Sequence, residues 1–275
     1  MDKFAFGWFS SGRGQGSIDL LTTAHQKMVE GFIPGRIAYV FCDREPGETP
    51  AADRFHAVVR SLGLPLLTLS SRQLREAIRR REKGIETRRQ EFDAGVLAKL
   101  ANYEAQVVVL AGYMLVLSPL LCEHLLCLNL HPAVPGGPKG TWRQVMWQLM
   151  ETEAPEAGAM LHLATPALDE GPPVTYCHFP LRGPRFDPLW SAYQEKRRRL
   201  SQAAIKDQEG DREPLFAAIR AEELRREFPL VLATLRDLAT GALVLTPAGV
   251  KQGQHLIPGG LDISAAVEAY IRGED

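Results

Sequence analysis

The chain has 275 residues, 45% apolar and 24% charged, with a formal net charge of −1. That length suits one large domain or a domain with an appendage, and the apolar share is ample for a packed core. The near-neutral balance argues against nucleic-acid partners, no apolar run reaches the about 18 residues of a membrane span, and four scattered cysteines without a Cys-x-x-Cys pair fit a reducing cytoplasm rather than a disulfide framework.

Strands and helices alternate along the chain. An apolar strand is expected at 4–9, followed by the glycine-rich turn Gly12-Arg13-Gly14-Gln15-Gly16 and a helix at 17–30. A second strand is expected at 36–42, a helix at 51–62 and a third strand at 65–69. Residues 71–91 are rich in arginine and read as a solvated helix with i,i+4 ion pairs, or as a cationic flap over an anionic ligand. A helix at 92–103 precedes strands at 105–111 and 126–130, and two more strands are expected at 158–164 and 174–179. Residues 193–227 are charged and helical in pattern, with a break at 208–214, and read as an appended hairpin or dimerisation arm. A helix at 230–238 and an edge strand at 242–245 close the pattern. The alternation predicts an open α/β sheet, and continuous apolar runs such as Val107–Ala111 fit strands covered on both faces.

Two places on this pattern carry chemistry. The glycine-rich turn leaves a strand and opens a helix, so its N–H groups face an anion with the helix dipole behind them. Its spacing, Gly12-x-Gly14-x-Gly16, departs from the dinucleotide fingerprint, although Asp43 follows the second strand roughly where a ribose-binding acid sits. The second place is the strand end Asn129-Leu130-His131-Pro132 with Asp169, 38 residues beyond His131. Asn129 and His131 share a strand face. An amide can donate to an oxyanion, an imidazole can hold a proton near neutral pH, and a carboxylate can fix its tautomer.

The strings Val-Val-Val-Leu-Ala-Gly-Tyr-Met-Leu-Val-Leu-Ser-Pro (107–119), Leu-Asn-Leu-His-Pro-Ala (128–133) and Leu-His-Leu-Ala-Thr-Pro-Ala-Leu-Asp-Glu-Gly-Pro (161–172) resemble the folate-dependent formyltransferases, in particular the branch that formylates phosphoribosylglycinamide in purine synthesis. The resemblance covers about residues 4–180, with a weaker echo at 229–245. It implies a Rossmann-like three-layer α/β fold with a mostly parallel seven-stranded sheet and a charged helical extension. It implies Asn129, His131 and Asp169 as the catalytic trio, with His162 as a supporting partner. Gly12, Arg13, Gly14, Gln15 and Gly16 would hold the acceptor's phosphate. Met114, Leu115, Val116, Leu117, Leu168 and Glu170 would line the pterin cleft, and Arg89 would meet the folate tail. The implied co-substrate is 10-formyltetrahydrofolate, without a metal. The implied partner is a small phosphorylated amine, with no nucleic acid or membrane, in a cytoplasmic monomer or homodimer.

The expected organisation is a formyltransferase-like α/β domain at 1–190, a charged helical insertion at 191–228, and a helix, edge strand and tail at 229–275 completing the domain. The chain also departs from the family pattern. Gln15-Gly16 replaces a Ser-Asn pair, Leu115 stands where an arginine is frequent, and a Pro- and Gly-rich loop, 134–140, follows His131-Pro132. A carboxylate that usually contacts the acceptor near the C-terminus is replaced around Thr246-Pro247. Three rival readings are a formyltransferase for another amine, a nicotinamide-dependent oxidoreductase and a non-catalytic folate or phosphate binder. A metal site from His131, His162 and Asp169 is disfavoured because the neighbouring amide suits oxyanion work better than ligation.

Overall fold

The computed structural model describes residues 3–274. In chain order the elements are β1 (Phe4–Ser10), α1 (Gln15–Val29), β2 (Gly35–Cys42), α2 (Pro50–Ser61), β3 (Leu66–Thr68), α3 (Arg72–Arg80), α4 (Ile85–Leu100), β4 (Val107–Leu110), α5 (Pro119–His124) and β5 (Cys127–His131). They continue with α6 (Trp142–Glu151), β6 (Glu156–Leu163), β7 (Pro173–Pro180), α7 (Asp187–Arg197), α8 (Gln202–Glu209), α9 (Pro214–Ala239), β8 (Val244–Thr246), β9 (Gly249–Gln252), β10 (His255–Ile257), β11 (Leu261–Asp262) and α10 (Ser264–Arg272). Two compact units divide the chain: one holds residues 1–129, 162–172 and 234–258, the other 130–161, 173–233 and 259–275. These boundaries run across the ranges expected from the sequence.

In the first unit five strands lie in the order β5-β4-β1-β2-β3. Every pairing among them is parallel. Parallel strands covered on both faces bury all their side chains, and β4 (Val-Val-Val-Leu) is buried at every position. Phe9, Phe41, Tyr113 and Leu121 fill the core between these strands and the helices. Helix α2 shows how local sequence sets an element. Thr49 accepts the Ala52 N–H at 3.2 Å, Pro50 sits in the first turn, and Ala52, Phe55, His56 and Val59 recur on one buried stripe. A separate antiparallel sheet, β10-β9-β8, belongs to this unit. Only its first strand was foreseen, as an edge strand.

The second unit contains α6, most of β6, β7 and a core of Met146, Trp147, Phe179, Trp190 and Phe216. Leu181 N–H donates to Pro155 O at 2.9 Å here, and Leu163 N–H to Pro172 O at 2.9 Å within the first unit, an antiparallel pattern for β6 and β7. Strand β11 pairs parallel with β7. With this two-residue strand the main-sheet strands number eight among the described residues, one more than the seven expected. Residues expected as a charged extension supply Tyr193, Ile205, Leu215, Phe216 and Ile219 to this core, while their charges face outward or pair with one another. The break expected at 208–214 separates α8 from α9, whereas the helical segments expected at 193–227 and 230–238 are joined, because α9 runs through Pro229. Among the described residues, no helix is long and apolar enough to cross a membrane.

Candidate active site

In parallel α/β sheets, ligands meet the carboxyl ends of the strands. Three neighbouring strands of the first unit deliver expected site residues there: β1 leads into Ser11–Gly16, β4 into Ala111–Leu117, and β5 carries Asn129. The first two loops are tied together. Ser11 N–H donates to the Gly112 carbonyl at 3.1 Å, and Met114 N–H donates to Ser11 Oγ at 3.1 Å. Gly112 has φ 69°, a left-handed conformation that favours glycine, and a Cβ there would lie 2.6 Å from Ser17 Oγ of α1.

The glycine-rich turn begins α1 two residues earlier than expected. Gly14 is its N-cap, in extended backbone, with no side chain capping the first turn. Arg13, Gly14, Gln15 and Gly16 are exposed, and nothing lies within 4 Å of where a Cβ on Gly14 or Gly16 would point. The first-turn N–H groups of α1 thus have no side-chain cap. The Gln15 amide donates to Asp19 at 2.7 Å.

Asp43 does not serve as a ribose acid. It is 1% exposed, and its Oδ2 accepts from Ser71 Oγ at 2.5 Å and from Arg75 at 3.0 Å. Arg75 also holds Glu48 at 3.1 Å. The acid after β2 is thus spent on anchoring α3, which removes the sequence feature that favoured a dinucleotide.

At the end of β5, Asn129 meets His162 of β6: the Asn129 Nδ2 and His162 Nε2 atoms are 3.1 Å apart. His162 Nδ1 lies 2.9 Å from the Leu163 carbonyl. A carbonyl only accepts, so Nδ1 carries the proton and Nε2 of the neutral ring accepts from the Asn129 amide. The second N–H of that amide has no acceptor among the described residues. Asp169 Oδ1 lies 3.9 Å from His162 Nε2, with its carboxylate 6% exposed. Asn129, His162 and Asp169 therefore form one cluster. His131 is buried, and its Nε2 donates to the Pro138 carbonyl at 2.8 Å, a bond supplied by the loop that departs from the family pattern.

The Asp169 loop is built for close approach. Asp169 has φ 56°, a left-handed conformation that Asp tolerates better than most residues. Thr165 Oγ1 donates to the Ala167 carbonyl at 2.9 Å, and Glu170 N–H reaches the same carbonyl at 3.3 Å. A Cβ on Gly171 would fall 1.6 Å from the Leu163 carbonyl oxygen.

The expected cleft residues differ in exposure. Met114 and Leu168 are 57% and 59% exposed, Leu115 and Val116 are half-buried, and Glu170 is exposed. Leu117 is 2% exposed and packs with Val96 and Leu121, so its side chain belongs to the core. Arg89 is largely buried and paired with Glu86. Sequence reasoning missed Asp93, whose Oδ2 accepts Ser118 N–H at 2.7 Å and fixes α4 to the loop after β4. Burial pushes its carboxyl up, against the Ser118 hydrogen bonds and the nearby charge of Arg89. Among the described residues no cluster of three or more His, Cys, Asp or Glu is placed to hold a metal.

A family model described as Formyl transferase matches residues 9–181. The chain is 31% identical over 109 residues to the phosphoribosylglycinamide formyltransferase of Schizosaccharomyces pombe, covering 37% of this chain and 53% of that protein. It is 33% identical over 95 residues to the Escherichia coli protein of that name, covering 34% and 44%. The chain thus spans about half the length of the curated relatives it matches. Glycinamide ribonucleotide transformylase 1 from Symbiobacterium toebii shares the fold at a TM-score of 0.62 and 23% identity, over 91% of this chain and 94% of that one.

Proposed function

Since the chain belongs to the formyl transferase family, we propose that it moves a formyl group from 10-formyltetrahydrofolate to an amine, phosphoribosylglycinamide of purine synthesis before any other. The observation that carries the reading is the anchored Asn129 amide. One N–H is fixed on His162 and the other is left for an acceptor at the strand end. A donor held in place before charge develops is what stabilises an oxyanion, and removing one typically costs about 100- to 1000-fold in rate.

The co-substrate would supply an activated formyl carbon, bonded to a nitrogen able to leave. Asn129 donates to the oxygen that becomes negative as the amine attacks. His131 gives the second hydrogen bond. Its Nε2 is engaged by the Pro138 carbonyl, and its imidazole is the group suited to hold a proton near neutral pH. Asp169 stabilises the charged imidazole and relays the proton from the attacking amine toward the leaving nitrogen. Met114, Leu115, Val116 and Leu168 offer apolar surface to the pterin, Glu170 a polar rim, and Arg89 a charge for the folate carboxylate. Leu117 backs this wall from the core. The uncapped first turn of α1 at Gly12–Gly16 takes the acceptor's phosphate. The same chemistry with another amine stays open because Gln15-Gly16, Leu115 and the 134–140 loop alter the walls. No step requires a metal, and a cytoplasmic monomer or homodimer is the expected form.

The test is consumption of 10-formyltetrahydrofolate against a panel of amines. The reading expects turnover with phosphoribosylglycinamide above that with amino sugars or nucleotide-linked amines. Binding of the folate with no transfer to any amine contradicts it.

A further inference from the structure

We infer that Gln144, in the first turn of α6, is a positioning residue for His131: it locks the chain segment whose carbonyl holds the imidazole. This rests on the formyl-transfer reading above, in which His131 supplies a hydrogen bond. The carbonyl comes from the 134–140 loop, where the chain departs from the family pattern. His131, this loop and α6 all belong to the second unit.

His131 is buried at the end of β5, and its Nε2 donates to the Pro138 carbonyl at 2.8 Å. The partner of one ring nitrogen orients an imidazole and selects its tautomer. A loop carbonyl can do so only if the loop is itself fixed. Pro138 has no N–H of its own to serve as an anchor. The anchors come from the three residues after it. Gln148 Nε2 donates to the Lys139 carbonyl at 3.3 Å. Gly140, at φ 107°, passes so close to Gln144 that a Cβ would lie 2.7 Å from its Oε1. Thr141 donates twice to that Oε1, from N–H at 2.8 Å and from Oγ1 at 2.9 Å. Gln144 N–H returns a bond to Thr141 Oγ1 at 3.4 Å, which completes a capping box. Gln144 and Gln148 stand one turn apart on a helix whose Val145, Met146, Leu149 and Met150 are buried in the core. The box therefore does more than start a helix. It ties a packed element to the chain three residues beyond the carbonyl that His131 uses.

The experiment measures kcat and both KM values, with the histidine tautomers read by long-range 1H–15N NMR at alkaline pH. Gln144→Ala is expected to lower kcat roughly ten- to 100-fold, since a misplacement of about 1 Å can cost that much. Both KM values stay near native. Its His131 signal, assigned by its loss in His131→Ala, becomes a mixture of tautomers where the native protein shows Nε2–H alone. Gln144→Glu keeps an acceptor for both Thr141 bonds and restores the native kcat and tautomer. Gln148→Ala removes the bond to Lys139 and lowers kcat less, in the same direction. Ser201→Ala removes a comparable cap, on the Ala204 N–H of α8, and lowers the melting temperature with kcat unchanged. Native kcat and a single His131 tautomer in Gln144→Ala overturn the inference, whatever the melting temperature. A fall in kcat that Gln144→Glu does not restore, or that Ser201→Ala reproduces, overturns it too. No turnover in the native protein overturns the formyl-transfer reading instead, and the tautomers still decide what Gln144 does.

Discussion

At the residue scale the proposed site includes a histidine, His162, that would act through its neighbour Asn129. His162 accepts from Asn129 only while Nε2 is unprotonated, and the Leu163 carbonyl enforces that tautomer. His162→Ala would free the Asn129 amide and strand buried polar groups. The expected loss is about 1–3 kcal/mol of stability by urea denaturation. The expected kinetic signature is a fall in kcat with little change in KM, because an oxyanion donor acts only in the transition state. Stability lost with kcat intact would reduce His162 to a packing residue. The sequence pointed to Asn129, His131 and Asp169 because their types and positions at or beyond strand ends carry a chemical meaning, and the structure brings Asn129 and Asp169 together around His162. It left Asp93 unseen, because a carboxylate in a charged helix looks like any solvated one until the fold buries it against Ser118.

At the element scale, the loop after β6 carries Asp169 and is shaped by one glycine. A Cβ on Gly171 collides with the Leu163 carbonyl, a backbone atom that cannot swing aside. Gly171→Ala is expected to cost about 3 kcal/mol or more, at the upper end for overpacking, and to release the loop. Differential scanning calorimetry checks the first, and limited proteolysis within 165–171 checks the second. An unchanged melting temperature would show that the strand gives way instead. Elements buried on both faces, such as β1 and β4, were readable from apolar runs alone. The small β8–β10 sheet was not, because three- and four-residue strands carry too few positions to show a period. The joining of the segments expected at 193–227 and 230–238 through Pro229 has a different reason. Proline removes one helix bond, yet Leu230, Val231, Leu232 and Leu235 are buried in the turns after it, and their burial outweighs the local cost.

At the scale of the whole molecule, Asp93 makes global stability depend on pH. Burial raises its carboxyl in the folded state. Above the unfolded value of about 3.9 the unfolded chain ionises first, so its share of stability falls as pH rises toward the folded value. Asp93→Asn should flatten the curve across that window in urea denaturation at a series of pH values; a curve as steep as that of the native protein would assign the slope to other groups. The parallel α/β pattern was legible because strand and helix periods alternate cleanly. The division into two units was not, since both draw on segments far apart in sequence. The central claim is that this chain transfers a formyl group through Asn129, His131 and Asp169. Its most direct test is 13C NMR of phosphoribosylglycinamide incubated with 10-[13C]formyltetrahydrofolate. The account predicts a new labelled formamide carbon on the acceptor with the native protein, and a rate at least about 100-fold lower with Asp169→Asn and with His131→Ala, both still folded by circular dichroism. Label appearing as free formate, or transfer undiminished in either variant, would contradict it.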